Sequence, residues 1–197
     1  LGIIDFDVVE VSNLQRQILF GSASIGQNKA TAAKDRLTDL NNAIQINAYP
    51  YKLSFQNSLE LFDQYDLIVD GTDNFETRYL INDAAVLKDK PVVFVGLYKF
   101  QGQVSVFNYN NGPTYRCAFP RKPKKNSVPN CSEVGVLGVL PGIIGTLQAN
   151  EVLKLVLGIG DVLAGKLLYY DALSNQTTTL KVKRSDLEIE KVLSAKK

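Results

Sequence analysis

Asp5 and Asp7 close an apolar run, Leu1 to Ile4, and Ser12, Asn13 and Arg16 follow in the same turn-rich stretch. An acid at the carboxyl end of a buried parallel strand is where a dinucleotide-type fold grips ribose hydroxyls, because a carboxylate can accept two O–H hydrogen bonds. A guanidinium a few residues on can hold two phosphate oxygens through parallel charge-assisted bonds. Lys29 lies near the start of the next helical stretch, where an ammonium and the amino-terminal dipole both favour an anion. Asp73, in Gly71-Thr72-Asp73-Asn74 after a second apolar run, belongs to another polar cluster at a strand's carboxyl end. Each position has a plainer alternative. Asp5 could be a solvated strand end, Asp7 a turn former, Arg16 a surface charge and Asp73 a helix N-cap.

The elements that must position these residues alternate. Asn28 to Leu40 carries Ala30, Ala33, Leu37 and Leu40 at helical spacing and stops at Asn41-Asn42. Ile44 to Tyr49 reads as a strand, Asn57 to Gln64 as a short helix and Tyr65 to Asp70 as a buried strand. Phe75 to Lys88 is a helix that Asp73 or Asn74 can cap, and Pro91 to Gly96 is a further strand. The order βαβαβ predicts a Rossmann-like α/β fold: a mostly parallel sheet, helices on both faces, and a ligand beyond the carboxyl ends of the strands, where residues 5 and 73 both fall. Period-two alternation from Gln101 to Tyr109 predicts an added antiparallel strand. Residues 110–133, rich in proline and lysine, read as a long loop. Pro141 to Leu157 is a helix ended by Gly158, Lys166 to Asp171 and Thr177 to Lys183 form a hairpin-like pair, and 185–197 is a last helix or a charged linker.

With 197 residues and 45% hydrophobic composition, the chain can bury a core as one main domain, 1–184, with a tail, 185–197. A net charge of +2 is too near balance to argue for nucleic acid, and no run reaches the length of a membrane span. Two cysteines and no signal peptide point to the cytoplasm. The absence of histidine removes Ser-His, Cys-His and His-ligated metal chemistry drawn from this chain. No Met is present and the first run opens inside a strand, so the chain reads as amino-terminally incomplete.

Taken together, D-x-D-x-V-x-x-S-N-L-x-R-Q at 5–17, G-Q-N-K at 26–29, G-T-D-N at 71–74 and V-P-N-C-S-E-V-G-V-L-G at 128–138 resemble the ThiF/MoeB/HesA family of E1-like enzymes. The resemblance implies ATP with Mg2+ as cofactors. The reaction implied is adenylation of the carboxyl-terminal glycine of a ubiquitin-like β-grasp sulfur-carrier protein with a Gly-Gly end, serving molybdopterin or thiamine sulfur transfer, by a homodimer. The first βα unit of that fold, with its G-x-G-x-x-G, is not among these residues.

By the same resemblance, Asp5 and Asp7, the stretch Ser12, Asn13, Leu14, Gln15 and Arg16, then Lys29, Asp73 and Asn74 contact the nucleotide. Asp73 holds the metal, and Cys131 is a candidate for covalent carrier chemistry. With no histidine nearby, Cys131 would need basic neighbours such as Lys124 or Lys125, or an outside sulfur donor; the alternative is an idle thiol. Thr114 stands where the first cysteine of a zinc-binding C-x-x-C pair would be, leaving Cys117 alone, and the second pair expected after Arg184 is missing, so no structural zinc is expected. The basic cluster 121–125 is a solvated loop or a contact for an acidic carrier face. A catalytically lapsed nucleotide-binding module that docks a β-grasp protein is the alternative function. An NAD-dependent oxidoreductase shares the fold but leaves Asn13 and Arg16 unexplained.

Overall fold

The computed structural model describes residues 1–123 and 135–195, in two compact units divided between Ser54 and Phe55. In the first unit, β1 (Gly2–Ile4) pairs in parallel with β2 (Asn47–Tyr49), with Ile3 opposite Ala48, and α1 (Lys29–Leu40) makes the crossover. Ala30, Ala32 and Ala33 of α1 are buried together with Val9 and Ile46. Small side chains let this helix lie close against the rest of the unit. The expected apolar face is therefore shifted: Leu40 is exposed at the end of α1. The strand expected from Ile44 starts only at Asn47, because Asn41 Oδ1 accepts the Ala43 N–H and turns the chain first.

The second unit contains α2 (Phe55–Asp63), β3 (Ile68–Asp70), α3 (Phe75–Leu87), β4 (Val92–Tyr98) and β5 (Gln101–Phe107), followed by the single turn α4 (Tyr115–Ala118) and α5 (Leu140–Leu157). A hairpin, β6 (Lys166–Asp171) and β7 (Gln176–Lys181), and α6 (Asp186–Ser194) complete it. The sheet order is β3-β4-β5-β6-β7, with β3 and β4 parallel and the remaining pairs antiparallel. The expected class, α/β with parallel strands, helices on both faces and an antiparallel extension, is what the fold shows. The sequence pattern predicts a mostly parallel sheet, but of the five strand pairings among the described residues three are antiparallel, because the added strand and the hairpin join β4 edge to edge in one sheet.

Alternation along β4 and β5 sorts their side chains onto two faces. Val95 and Val104 meet Leu140 and Ile144 of α5 on one face. Phe94 and Phe107 meet Tyr115 on the other, with Tyr79 of α3 and Phe119 completing an aromatic cluster whose ring centroids lie 4.8–6.4 Å apart. Helices thus cover both faces. Leu140, Ile144, Gln148 and Glu151 are buried at three- and four-residue spacing, which is the core-facing stripe of α5, and Gly158 ends that helix in the left-handed region at φ 65°. Gly102 is required for this contact: a Cβ there would lie 2.2 Å from Ile144.

Within the stretch expected to be loop, α4 forms and is tied to α3 by a bidentate pair, Arg116 Nε and Nη2 to Asp83 at 2.6 and 2.8 Å. Of the two alternatives for the tail, α6 is the helix, burying Glu188, Ile189 and Val192. Among the described residues no helix is long and apolar enough to cross a membrane.

Candidate nucleotide and metal site

In the first unit the candidate residues gather around the turn after β1. Asp5 ends the strand and its Oδ1 accepts the Asp7 N–H at 2.9 Å, the short polar turn its residue type favours. Asn28 fastens this turn to α1, since its Nδ2 donates to Asp5 O at 2.9 Å and Asp7 O at 3.2 Å while its Oδ1 caps the helix at Thr31 N. The Lys29 N–H donates to Asp7 O at 2.9 Å. Two amides at the start of α1 are therefore already bonded, and what the terminus offers an anion is chiefly its field and the Lys29 ammonium. That ammonium lies 3.2 Å from Asp7 Oδ2, with the Lys29 side chain 14% exposed and the Asp7 side chain 51%. Asp7 thus shapes the turn and also pairs with the lysine. The sequence signal for this role of Asn28 is an Asn directly before a helical run.

The stretch from Ser12 to Arg16 is a tight turn held by its own polar groups. Asn13, 7% exposed, accepts the Glu10 N–H through Oδ1 at 3.0 Å, so its amide NH2 is the half left to donate. Ser12 Oγ donates to Glu10, and Arg16 Nη1 donates to Ser12 O at 3.1 Å. Among the described residues no carboxylate pairs with Arg16, so most of its fork remains available to an anion. No hydrogen bond joins it to the Asp7–Lys29 pair. Leu14 is half-buried and Gln15 exposed, and no side-chain contact gives either a task.

In the second unit, the two acids of Asp70-Gly71-Thr72-Asp73 have opposite environments. Asp70 is 2% exposed, and its Oδ1 accepts both the Thr72 N–H at 2.9 Å and the Thr72 hydroxyl at 2.7 Å. Burial pushes its carboxyl up, against the Arg78 charge and the Thr72 hydrogen bonds that pull it down. Asp73 is exposed and has no hydrogen bond or ion pair among the described residues. The N-cap task belongs to Asn74, whose Oδ1 accepts the Thr77 N–H at 2.9 Å, leaving Asp73 for other chemistry. An exposed carboxylate at a strand end fits a Mg2+ that takes most of its ligands from phosphates and water.

Cys131, Lys124 and Lys125 lie outside the described residues. Cys117 accepts the Thr114 and Ser185 N–H groups at 3.3 Å each and sits 3.4 Å from Thr114 Oγ1. One thiol beside the Thr114 hydroxyl does not fit a tetrahedral zinc centre, and among the described residues no three His, Cys, Asp or Glu side chains gather as a metal site. The sulfur instead links the turn at α4 to the start of α6 by hydrogen bonds.

The model of the ThiF family matches residues 1–190. A sulfur carrier protein adenylyltransferase of Thermus thermophilus is 50% identical over 190 residues, 94% of this chain and 70% of that protein. A probable adenylyltransferase/sulfurtransferase MoeZ of Mycobacterium tuberculosis is 45% identical over 93% of this chain and 48% of its own length. For an adenylyltransferase and sulfurtransferase MOCS3 of Xenopus laevis the figures are 45%, 93% and 41%. The chain therefore spans about half or less of these last two relatives. Among solved structures, Escherichia coli MccB with MccA-N7isoASN superposes with a TM-score of 0.81 at 19% identity, covering 94% of this chain and 57% of that one. MccB with ATP gives 0.78 at 18%, over 94% of this chain and 57% of that one. At such identities the likeness shows the fold.

Proposed function

Because the chain belongs to the ThiF family, we propose that it adenylates the carboxyl-terminal glycine of a ubiquitin-like sulfur-carrier protein for molybdopterin or thiamine sulfur transfer. The observation that carries this reading is Lys29. Its side chain, 14% exposed at a helix start, holds the ammonium 3.2 Å from Asp7 beside a strand-end turn, in a chain 50% identical to a sulfur carrier protein adenylyltransferase.

A carrier carboxylate oxygen attacks the α-phosphorus of ATP; the new bond is carbonyl carbon–oxygen–phosphorus, the bond broken is that to the bridging oxygen, and pyrophosphate leaves. The nucleophile is already an anion, so no protein base is needed. What remains for the protein is positioning and charge neutralisation. Lys29 and Arg16 serve the phosphates, with Asn13 donating through its amide NH2 and Ser12, Leu14 and Gln15 shaping the same turn. Asp5 serves the ribose hydroxyls and Asp7 orients the lysine. Asp73 with Asn74 beside it serves Mg2+, which when bound would neutralise phosphate charge. Cys131 would act after adenylation, in transfer to or from a sulfur donor. Residues 1–184 form the adenylation domain, acting in the cytoplasm as a homodimer whose contact includes the solvent-facing side of α5, where Leu153, Val156 and Leu157 are 57–68% exposed.

ATP–pyrophosphate exchange by the intact protein with a Gly-Gly-ended carrier tests this. Exchange that depends on carrier and on Mg2+ is expected. Lys29→Ala should lower it about 10²- to 10³-fold, the scale of one lost charge-stabilising group. Cys131→Ala should leave exchange intact and impair only sulfur transfer. Background exchange with every cellular carrier would overturn the reading in favour of a lapsed docking module.

A further inference from the structure

The loop that carries Asp73 contains Gly71 and would be loose if left to its own backbone. Instead it is gripped from two helices. From α5, Gln148, 8% exposed, donates through Nε2 to Asp70 O and to Val93 O, both at 2.9 Å, bridging the end of β3 and the start of β4. From α3, Arg78 Nη2 donates to Thr72 O at 2.7 Å, with the guanidinium 5.2 Å from the Phe94 ring centre and 5.9 Å from that of Phe75. Between them, Asp70 holds the Thr72 amide and hydroxyl. Arg78 keeps Nε buried and without a partner among the described residues, which costs stability. A cation placed at that expense, with a buried glutamine spending its amide on two main-chain carbonyls, fixes a backbone rather than filling a core.

We infer that Arg78 and Gln148 are positioning residues: a two-sided clamp on the backbone of residues 70–74 that sets the direction in which Asp73 presents its carboxylate to the metal. The inference rests on the adenylation reading for its purpose and on this unit's geometry for its substance. A metal ligand serves only when held within about half an ångström of its working position, and neither helix end nor strand end alone supplies that here.

The test uses Arg78→Met, Arg78→Lys and Gln148→Leu in the intact protein, read first by site-resolved amide hydrogen exchange without nucleotide. In Arg78→Met and Gln148→Leu the Thr72 amide, bonded to Asp70 Oδ1, should exchange about tenfold faster, the size of one lost hydrogen bond, while the amides of β4 and β5 keep their protection. The Mg2+ concentration giving half-maximal pyrophosphate exchange should rise by a similar factor, and Arg78→Lys, which keeps one donor for Thr72 O, should recover part of both effects. Unchanged exchange of the Thr72 amide in both variants, or faster exchange spread evenly over the sheet, would overturn the clamp. Because two elements carry it, failure of one variant to fold leaves the other to decide. An unaltered protein that gives no pyrophosphate exchange counts against the adenylation reading, whereas the amide measurement judges the clamp by itself.

Discussion

Asp70 and Asp73 are three residues apart and of the same type, yet only one is chemically available. Asp70 is enclosed, and burial lifts its carboxyl above the ordinary 3.8. An acid whose pKa is higher folded than unfolded takes up a proton on folding in the window between the two values. Its contribution to stability therefore declines as pH rises from 3.8 through the folded value. Asp70→Asn keeps an acceptor for Thr72 and cannot ionise. Its melting temperature relative to the parent should climb as pH is raised from about 4 to about 7, and parallel melting curves across that range would contradict the assignment. At Asp73 the converse holds: Asp73→Asn should leave stability within about 0.5 kcal/mol, as an exposed uncommitted side chain does, while pyrophosphate exchange collapses. Retained exchange would show that the metal is held elsewhere.

Two element-scale contacts decide whether the helices sit where the sites need them. Asn28 is both the N-cap of α1 and the tie from that helix to the carbonyls of Asp5 and Asp7. Asn28→Ala should cost about 1–2 kcal/mol in denaturant unfolding from the cap alone, with further loss from the two freed carbonyls. Gly102 lets α5 approach β5. Gly102→Ala puts a methyl 2.2 Å from Ile144 and should destabilise by about 1–3 kcal/mol, relieved in part when Ile144→Ala is added. A double-mutant cycle with no coupling between the two positions would refute the close contact.

On the scale of the whole molecule, α5 presents opposite faces to different neighbours. Its buried stripe packs on the sheet, while Leu153, Val156 and Leu157 stay exposed, with Lys154 tied to Glu151 and donating to Asp161 O at 2.6 Å. A second copy of the chain is the proposed cover. Leu153→Glu should convert dimer to monomer in light scattering without lowering the melting temperature of the monomer, and a native mass already equal to one chain would end that proposal.

The sequence alone determined which elements form and which residues carry charge at their ends, because apolar periodicity, capping residues and strand-end polar clusters are local signals. The strand after Gln101, the helix ended by Gly158 and the D-x-D turn were legible in this way, as was the family through four ordered motifs. Tertiary structure decided how the polar groups are shared out. Gln148 reaches β3 from 78 residues away, and Cys117 finds its partner 68 residues on at Ser185. No local pattern encodes those choices. A hydrogen bond is short-ranged and forms between groups that packing brings together, so which of two neighbouring acids is consumed inside and which is left for chemistry is fixed only once both helices have settled on the sheet.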